Sequence, residues 1–508
     1  MTKHSRLLYL LVVILFALGI FLRFWKTDQI PSGFSWDEAS IGYNGWSVMK
    51  TGSDEWGEKL PLHFQAFGEW KLPTYIYSTI PFIYFLGLNE LAVRLPSMIS
   101  GILSAVLFGF IWYRLKGIKE AIFSGLLFLF SFWSFSLSRS SFEANVGVFV
   151  LLLAIVMILL KKKAIAVVLF SVLLYTYNGF RIFIPLFLPF MLFTYRRNIS
   201  KANLLKLTVI FAVAVLPLVR FGLVNRSAFS RLDQVTAEGN RIKSFISNYV
   251  SHFQPEFLLL NGDNNLRHFS GKTGQFSYLT TTLALTGIYY LLKKKGRLEK
   301  HEAVVLAGLV LSPIPAAITK ESPHSLRAIC LLPAWLSMAT LGFSYLKNKF
   351  NTWSSLNKVL AVVVFFVLLG QYGYFYTDYF GDYKSRSASD WQSGSRQLFT
   401  DKNLLSYDSP VYVTTSNIQP YIFQLYYNPE VLEKLSYDVS HPAFWHKSRL
   451  SRINNFYFVD VEEMASYAFT KQHGLYVVDP KEVDIIPEGV QYQTISTNSF
   501  PNFYLFEI

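Results

Sequence analysis

Long apolar runs separated by short basic loops dominate the first three quarters of the chain. The first run, from Leu7 to Trp25, contains a single basic residue, and similar runs recur up to residue 376. Each is long enough, or nearly so, for a helix that crosses the hydrocarbon core of a bilayer. The pattern predicts eleven transmembrane helices, at about 7–25, 95–113, 121–137, 145–160, 164–178, 182–195, 205–221, 278–292, 303–318, 328–346 and 358–376.

The basic residues between these runs predict the orientation of the chain. Twenty Lys and Arg residues lie in the N-terminal segment and in alternate short loops, whereas the intervening short loops contain only Arg139, Arg181, Lys320 and Arg327. By the positive-inside rule, the N-terminus and the basic loops face the cytoplasm. The first apolar run lacks a small-residue cleavage site and is expected to remain as a membrane anchor.

One apolar run, residues 72–88, does not fit this alternation. If it crossed the bilayer, every later basic loop would change sides. Pro73, Pro81 and several tyrosines favour a helix that lies in the outer interface instead. Three longer stretches are then predicted on the outer face: residues 26–94, residues 222–277 and everything after residue 376.

Beyond residue 376 the pattern changes to strand and helix signals of a small α/β domain. The predicted strands are Val411–Thr415, Phe456–Asp460, Leu475–Asp479 and Phe503–Glu507. A helix is predicted at Ile418–Tyr427, with Ser416 or Asn417 as its cap. The predicted fold is thus an α-helical polytopic membrane domain, residues 1–376, followed by an extracytoplasmic α/β domain, residues 377–508.

Composition and charge exclude other classes of protein. Of the 508 residues, 52% are hydrophobic and only 16% are charged, against about a quarter in soluble proteins. The net charge of +14 divides into −6 on residues 377–508 and +20 on the rest. Because the positive charge lies in the short loops, it is an orientation signal, and we exclude nucleic-acid binding. The single cysteine, Cys330, excludes an intramolecular disulfide and cysteine-based metal sites, but His, Asp and Glu can still bind a divalent metal.

The first predicted outer loop contains the strongest candidates for chemistry. Asp37 and Glu38 lie in the first turn of a predicted helix that extends to about Lys50. Ser35 and Glu38 have the spacing of a capping box, which is the structural alternative for Glu38. Lys71 and Arg94 flank the predicted interfacial run, where a lipid phosphate would lie. Their structural alternative is snorkelling toward the headgroups.

Further charged residues lie in the other predicted outer turns. Arg139 and Glu143 have the spacing of a helical salt bridge, and His324 with Arg327 could form a helix-entry turn. Arg267 and His268 lie in a polar, glycine-containing stretch and are candidate ligand contacts. Acidic groups able to accept a proton and cations able to hold a phosphate are therefore predicted on one face of the membrane.

Several motifs resemble those of a known family. They are Trp36-Asp37-Glu38-Ala-Ser-Ile-Gly-Tyr43, Gly52-x-Asp54-Glu55-x-Gly57, Gly68-x-x-Lys71-x-Pro73-x-Tyr75 and Asn89-Glu90-x-Ala-Val-Arg94-Leu-Pro96-Ser97. This set is similar to bacterial integral-membrane glycosyltransferases of the GT-C class, in the family 39 branch of protein O-mannosyltransferases and lipid A aminoarabinose transferases. The resemblance is densest over residues 31–101 and returns at Arg139, at Arg267-His268 and at Pro323-His324-x-x-Arg327.

The resemblance implies a transferase that moves a hexosyl or pentosyl group from a polyprenyl-phosphate-linked donor with inversion. Asp37 would be the general base, with Glu38 holding the acceptor or the base. The residues implied to bind the donor phosphate are Lys71, Arg94, Arg139 and Arg327. The implied substrate-binding residues are Tyr43, Asp54, Glu55, Glu143, Arg267, His268 and His324. Some relatives use a divalent metal and others need none.

Two other functions agree with many of the same features. A flippase or transporter of lipid-linked sugars also needs many helices and membrane-embedded charges, although transporters usually place those charges near the midplane in repeated halves. A non-catalytic scaffold that displays the C-terminal domain is the third possibility. For a transferase in the cytoplasmic membrane, with membrane lipids around it, the sequence leaves the acceptor open among protein, lipid and polysaccharide.

Overall fold

The structure is a computed structural model that describes residues 3–195, 201–225, 240–350, 352–416, 418–429, 437–440, 449–497 and 500–508. Fifteen helices are numbered in chain order; all have ten or more residues except α6, a shorter helix that continues α5. They are α1 (Lys3–Phe24), α2 (Trp36–Thr51), α3 (Pro73–Leu86), α4 (Glu90–Lys116), α5 (Ile118–Leu129), α6 (Phe132–Ser138), α7 (Glu143–Leu159), α8 (Lys163–Leu173), α9 (Phe180–Thr194), α10 (Lys201–Val224), α11 (Arg241–Ser251), α12 (Tyr278–Lys293), α13 (Lys300–Leu311), α14 (Leu331–Phe350) and α15 (Ser355–Phe380). Shorter helices are Ile314–Ala317, Tyr383–Arg386, Ser395–Thr400, Lys402–Leu405, α16 (Pro420–Tyr427) and α17 (Val461–Phe469), with a π-turn at Glu256–Leu260 and a 3₁₀ turn at Pro480–Ile485.

The chain divides into two compact units. Residues 1–25 and 96–379 form the helical unit, and residues 26–95 and 380–508 form the loop unit. The C-terminal region therefore shares a unit with the first predicted outer loop.

Each predicted membrane run lies on helical structure in the helical unit or at its borders. Among the described residues, three helices are long and apolar enough to cross a membrane: Glu90–Lys116, Ala202–Val224 and Ser355–Phe380. A fourth crossing is possible if α5 and α6, which meet at 53°, count as one broken span. Other apolar helices, such as Glu143–Leu159 and Phe180–Thr194, are shorter. The predicted number of eleven transmembrane helices is therefore not confirmed.

A buried arginine explains how the break between α5 and α6 is tolerated. A bend leaves backbone carbonyls without their helical partners, which is costly away from water. Arg23, near the end of α1, is fully buried and donates to the carbonyl of Leu129, the last residue of α5, at 2.6 Å. It also donates to the Ser134 hydroxyl at 3.2 Å. One side chain thus bridges the two halves of the broken span.

Two helices of this unit approach each other through glycines. A Cβ on Gly287 of α12 would lie 2.0 Å from the carbonyl oxygen of Met338 in α14, and a Cβ on Gly342 would lie 2.0 Å from that of Leu283. Small residues at a crossing let two helix backbones meet, which is a common packing mode in membranes.

In the loop unit, α2 packs against α3 and α16, again through glycines. A Cβ on Gly42 would lie 2.7 Å from the ring of Tyr426 in α16, and one on Gly45 would lie 2.3 Å from the Thr79 hydroxyl in α3. The chain leaves α2 at Gly52, whose left-handed φ of 74° suits glycine at a helix end. The helix whose first turn contains Asp37 is thereby fixed on two sides.

The C-terminal region contains a mixed seven-stranded sheet. Its strands are β3 (Val411–Thr414), β4 (Tyr437–Ser440), β5 (Arg449–Ile453), β6 (Phe456–Val459), β7 (Leu475–Val478), β8 (Gln493–Thr497) and β9 (Phe500–Glu507), after the two-stranded hairpin of β1 (Phe64–Ala66) and β2 (Glu69–Lys71). The order is β4-β5-β6-β3-β7-β9-β8, and β3 is parallel to both β6 and β7. The central strands bury an apolar core that includes Tyr412, Val459, Met464, Tyr476 and Phe506.

The four predicted strands are present, and β4, β5 and β8 are additional. The predicted helix near 418 begins later, at Pro420, and its N-cap is Gln419, so the prediction of a Ser416 cap is wrong. Asn417, the other predicted cap, lies outside the described residues. The helical region with a β-rich C-terminal part agrees with the fold class expected from the sequence.

Candidate active site

The N-terminus of α2 presents Asp37 in a fixed position. The capping box predicted at this helix start is confirmed: the Glu38 N–H donates to the Ser35 hydroxyl at 3.3 Å, and the Ser35 N–H donates to Glu38 Oε2 at 3.1 Å. These bonds satisfy amide groups that a helix start leaves open. Asp37 is free of this capping role, and its carboxylate lies where the helix dipole stabilises negative charge.

Lys71 is the ion-pair partner of Asp37. It ends β2, which pairs with β1 in an antiparallel hairpin that aligns Lys71 with Phe64. Its ammonium donates to Asp37 Oδ1, lies 3.9 Å from Glu69 Oε1 and sits 5.3 Å from the centre of the Phe67 ring. The Lys71 side chain is 5% exposed and that of Asp37 is 36% exposed. The pair therefore has a buried cation and an accessible carboxylate.

Glu38 and Arg94 form a second, deeper ion pair. The guanidinium donates to both carboxylate oxygens, from Nε at 2.9 Å and from Nη2 at 3.0 Å. Its remaining hydrogens reach the carbonyls of Thr27 at 3.2 Å and Gly33 at 2.7 Å. Both side chains are almost completely buried. Because the carboxylate and guanidinium are already paired, the geometry favours a role in holding the start of α2 over direct contact with substrate.

Breaking this buried pair is expected to destabilise the protein. Arg94→Met leaves the Glu38 carboxylate buried without its cation, which typically costs about 3–5 kcal/mol. Thermal unfolding in detergent measures the loss. Arg396→Met is the matched control, because Arg396 also pairs with a glutamate, Glu90, at 2.5 Å but is itself 53% exposed, so its loss should cost less than that of the buried Arg94. Equal shifts for the two variants would contradict the structural role of Arg94.

Other predicted substrate residues of the first loop also lie in the loop unit. Tyr43 is buried in α2, with its ring 5.8 Å from that of Trp46. Asp54 is buried and accepts from the N–H groups of Trp56 and Glu58, both at 2.9 Å, which fixes the turn after α2. Glu55 is held by Asn44 of α2, whose amide nitrogen donates to Glu55 Oε1 at 3.2 Å and whose oxygen accepts from the Glu55 N–H at 3.0 Å. The snorkelling alternative for Lys71 and Arg94 is wrong, because both side chains are buried against protein carboxylates.

In the helical unit, His268 and His324 lie together around a residue that the sequence analysis missed, Asp263. Asp263 Oδ2 bonds to His268 Nδ1 at 2.9 Å and accepts from the Ser325 N–H at 2.7 Å. The two imidazole rings are 4.9 Å apart. Burial alone raises the pKa of Asp263, but the imidazoles of His268 and His324 and the Asn265 N–H lower it, and the net pKa is well below its usual value. Asp263 is therefore ionised at neutral pH.

These three side chains could hold a divalent metal. Their ligand atoms lie within 4.8 Å of one another, and all three residues are buried. Two imidazoles and a carboxylate are a suitable donor set for zinc and related metals, and a carboxylate bonded to a histidine commonly supports such a site. Hydrogen bonds also stabilise these residues without a metal. Asp263 Oδ2 bonds to His268 Nδ1, and His324 Nδ1 accepts from the Leu326 N–H at 3.2 Å. That bond agrees with the helix-entry alternative for His324.

The remaining predicted cations have identified partners within the helical unit. Arg139 is fully buried and donates to the carbonyls of Leu22, Arg23 and Trp25, each at 2.8 Å, so that it caps the end of α1. Arg327 donates to the Thr319 hydroxyl at 2.8 Å and to Glu321 Oε2 at 3.3 Å. Since Glu321 is 76% exposed, Arg327 can exchange this partner for a ligand at low cost.

Glu143 and Arg267 have local structural positions as well. Glu143 is the first residue of α7, where a carboxylate is favoured by the helix dipole. The Arg267 N–H donates to Asn265 Oδ1 at 3.0 Å in the turn that follows Asp263. Asp263 itself could have been found from the Gly-Asp-Asn turn signal a few residues before Arg267-His268.

Comparison with solved structures assigns the chain to the GT-C class of fold. The solved structures that resemble it include ArnT from Cupriavidus metallidurans in the apo state, with 13% identity over 99% of this chain and 98% of that chain and a TM-score of 0.60. The same enzyme bound to undecaprenyl phosphate gives a TM-score of 0.56 with the same identity and coverage.

An archaeal protein shares the fold more distantly. The oligosaccharyltransferase AglB from Archaeoglobus fulgidus, in complex with an inhibitory peptide and a dolichol-phosphate, is 12% identical over 84% of this chain and 64% of that chain, with a TM-score of 0.50. No protein-family profile and no curated protein sequence matches the chain. The GT-C fold implied by the sequence motifs is confirmed by these structures.

Proposed function

We propose that the protein is a membrane glycosyltransferase that moves a sugar from a polyprenyl-phosphate-linked donor to an acceptor hydroxyl. The observation that carries the proposal is the Asp37–Lys71 pair at the start of α2, an accessible carboxylate beside a buried ammonium. Inverting sugar transfer needs these two groups, one to take a proton and one to stabilise a departing phosphate. The fold supports the proposal, because the similar ArnT structure contains undecaprenyl phosphate.

The two side chains have complementary roles in the proposed reaction. The acceptor oxygen attacks the anomeric carbon as its proton passes to Asp37. The bond between that carbon and the phosphate oxygen breaks, and the electron pair leaves with the polyprenyl phosphate. Lys71, released from Asp37 when the phosphate arrives, neutralises the charge that develops on the leaving group. Release of Lys71 leaves the carboxylate available as a base at the moment when the donor is bound.

We assign the other candidate residues to three roles. Arg94 and Arg139 are assigned to structure, because their guanidiniums hold Glu38 and the end of α1, respectively. Arg327 stays a candidate phosphate ligand, since its exposed partner Glu321 is easily displaced. Tyr43, Asp54, Glu143, Arg267, His268 and His324 are assigned to shaping the substrate sites. A metal at Asp263, His268 and His324 would supply Lewis acidity to a bound oxygen.

The proposed location is the cytoplasmic membrane, with eleven spans, a cytoplasmic N-terminus and the reaction on the outer face. The distribution of Lys and Arg among the short loops supports this orientation, and three described helices have the length and composition of membrane spans. Residues 26–94, 222–277 and 377–508 are then extracytoplasmic. A polyprenyl-phosphate donor fits this location, because its chain partitions into the bilayer and its sugar lies at the surface.

The test reconstitutes the purified full-length protein into liposomes with polyprenyl-phosphate-linked sugars and with protein, glycolipid and polysaccharide acceptors. Mass spectrometry is expected to show one sugar-mass increment on one acceptor class, together with an equal amount of free polyprenyl phosphate. Liposomes without the protein are the control. If the donor crosses the bilayer but no increment and no free polyprenyl phosphate appear, the protein is a transporter and the proposal fails.

A further inference from the structure

The helical unit contains an apolar cleft that is lined by none of the residues assigned above to the reaction. About 760 Å³ of space, part of it open to the surroundings, lies between α4, α7, α9, α13 and α14. Its walls are mainly aliphatic and aromatic, with side chains such as Leu152, Phe187 and Val305. Ligand sites commonly have this size and this apolar character.

The cleft begins where four of these helices have an end. The wall residues there are Leu115 near the end of α4, Leu159 at the end of α7, Tyr195 just after α9 and His301 at the start of α13. From this end the cleft extends along α9 as far as Phe183, which is about 18 Å from Tyr195 at the helical rise of 1.5 Å per residue. A long apolar space of this kind suits an extended hydrocarbon chain.

The chain segments at the same end are strongly basic. Residues 114–119 contain three cations and no carboxylate, and residues 161–163 are three lysines. Residues 293–300 contain five cations and one carboxylate. These loops are predicted to face the cytoplasm, where the membrane leaflet is rich in anionic lipids. The charge at the end of the cleft is therefore complementary to an anionic headgroup.

Two of these cations lie beside the cleft itself. Lys300 is exposed, and its ammonium sits 5.5 Å from the centre of the Tyr195 ring, which lines the cleft. Lys116, the last residue of α4, pairs with Glu299 at 3.5 Å. Because Glu299 is 54% exposed, Lys116 can exchange this partner for a phosphate at low cost.

Two buried polar atoms belong to wall residues just inside this basic end. They are Trp112 Nε1 and His301 Nε2, and no residue in the described parts of the chain gives either one a hydrogen bond. The two rings meet edge to face with their centroids 6.4 Å apart, and Trp112 is only 1% exposed. A buried N–H without an acceptor is costly, so such a group often marks a ligand site.

The order of these features along the cleft matches one class of lipid. Trp112 precedes Lys116 by four residues and therefore lies about 6 Å deeper along α4. Going inward, the cleft offers cations, then an N–H donor, then an apolar space. A diacyl phospholipid has a phosphate, then ester carbonyls, then hydrocarbon chains. A polyprenyl phosphate has hydrocarbon up to the phosphate and offers Trp112 no carbonyl.

We propose that this cleft binds one anionic diacyl phospholipid, separate from the donor and acceptor of the proposed reaction. One acyl chain fills the space among the five helices, and an ester carbonyl accepts from Trp112 Nε1. The phosphate lies at Lys116 and Lys300. The inference does not depend on the proposed transfer of a sugar.

Filling the cleft should abolish lipid binding. A Cβ on Gly308 of α13, which lines the cleft, would lie 3.6 Å from Ala334 Cβ and 3.9 Å from Phe187 Cε2, which are ordinary contact distances. Gly308→Leu should therefore be tolerated by the backbone and occupy the space of the acyl chain. Gly370→Leu is the matched control, because a Cβ on Gly370 of α15 would meet no atom within 4 Å.

Two further variants test the polar contacts. Lys300→Met should weaken binding of an anionic phospholipid about fivefold, the usual contribution of one basic residue near an anionic lipid. Lys349→Met is its control, since Lys349 is an exposed lysine in the last turn of α14. Trp112→Phe keeps an aromatic ring but removes the N–H. It should weaken binding of ester-linked lipid about fivefold and leave that of the ether-linked analogue, which lacks the carbonyls, unchanged.

The experiment counts bound lipids by native mass spectrometry of the full-length protein, released from a neutral detergent, at increasing lipid concentration. The probes are ester-linked phosphatidylglycerol, its ether-linked analogue, phosphatidylcholine and polyprenyl phosphate. The melting temperature without added lipid shows whether each variant is folded. If Gly308→Leu does not fold, Lys300→Met and Trp112→Phe decide the result.

The wild type is expected to bind one phosphatidylglycerol saturably and more tightly than phosphatidylcholine, with the losses given above in the variants and none in the controls. Equal binding of phosphatidylglycerol and phosphatidylcholine that no variant changes would mean ordinary surrounding lipid and overturn the inference. Displacement of phosphatidylglycerol by an equal concentration of polyprenyl phosphate would assign the cleft to the donor chain instead. Absence of saturable binding would also overturn it. None of these three results bears on sugar transfer, which is measured separately.

Discussion

Replacing Asp37 with asparagine is expected to lower the rate of sugar transfer about 100- to 10,000-fold, the usual contribution of a general base. The amide has nearly the same shape and can still accept a hydrogen bond from Lys71, but it cannot take a proton. Because the Ser35–Glu38 capping box does not use the Asp37 side chain, the start of α2 should be preserved. The measurement is the initial rate of polyprenyl phosphate release at saturating donor.

Asp28→Asn is the control for Asp37→Asn. Asp28 is an exposed carboxylate earlier in the same loop, so its loss should leave the rate unchanged. Donor binding by Asp37→Asn should remain close to that of the wild type, which places the defect in the chemical step. A variant that transfers sugar at the wild-type rate would show that Asp37 is not the base.

Local signals in the sequence predict many elements of each unit well. The capping box at Ser35 and Glu38 requires only neighbouring residues, and the helices of the helical unit follow from apolar runs that are continuous in sequence. The central strands β3, β6 and β7 are equally clear, since they are short apolar segments such as Val411–Thr414. In each case the information that fixes the element lies within it.

The contacts that hold the candidate residues within each unit are not local, and the sequence did not predict them. Glu38 pairs with Arg94 across 56 positions, and Arg139 reaches carbonyls of α1 more than 110 positions earlier. A charged residue in a predicted outer loop gives no indication of whether it will meet a lipid phosphate or a backbone carbonyl. The assignment of Arg94 and Arg139 to phosphate binding changed for this reason.

The strands that the sequence analysis missed have a different explanation. β4 and β8 are the edges of the sheet, and β5 is next to one edge. Their sequences, such as Arg-Leu-Ser-Arg-Ile and Gln-Thr-Ile-Ser-Thr, mix polar and apolar residues because edge strands have solvent nearby. They carry too few apolar residues for a strand to be recognised without its partners.

Lys71→Met is expected to lower transfer about 100- to 1,000-fold, as the loss of one electrostatic contact to a developing negative charge does in other enzymes. Methionine preserves the length and apolar character of the side chain beside Phe67 but removes the ammonium. Asp37 and Glu69 then lie close together without the cation that Lys71 places between them. Lys71→Arg keeps the charge and should retain part of the activity.

The distribution of this loss between kcat and KM identifies what Lys71 contacts. If the ammonium stabilises mainly the departing phosphate, kcat and kcat/KM fall together, whereas an increase in KM alone would make Lys71 a ground-state binder of the donor. Lys50→Met, which removes an exposed ammonium from the last turn of α2, controls for the change in net charge. Full turnover by Lys71→Met would contradict a role for Lys71 at the leaving group. Because Lys71 and Asp37 form one ion pair and act as a unit, the double variant Asp37→Asn/Lys71→Met should be little slower than Asp37→Asn alone.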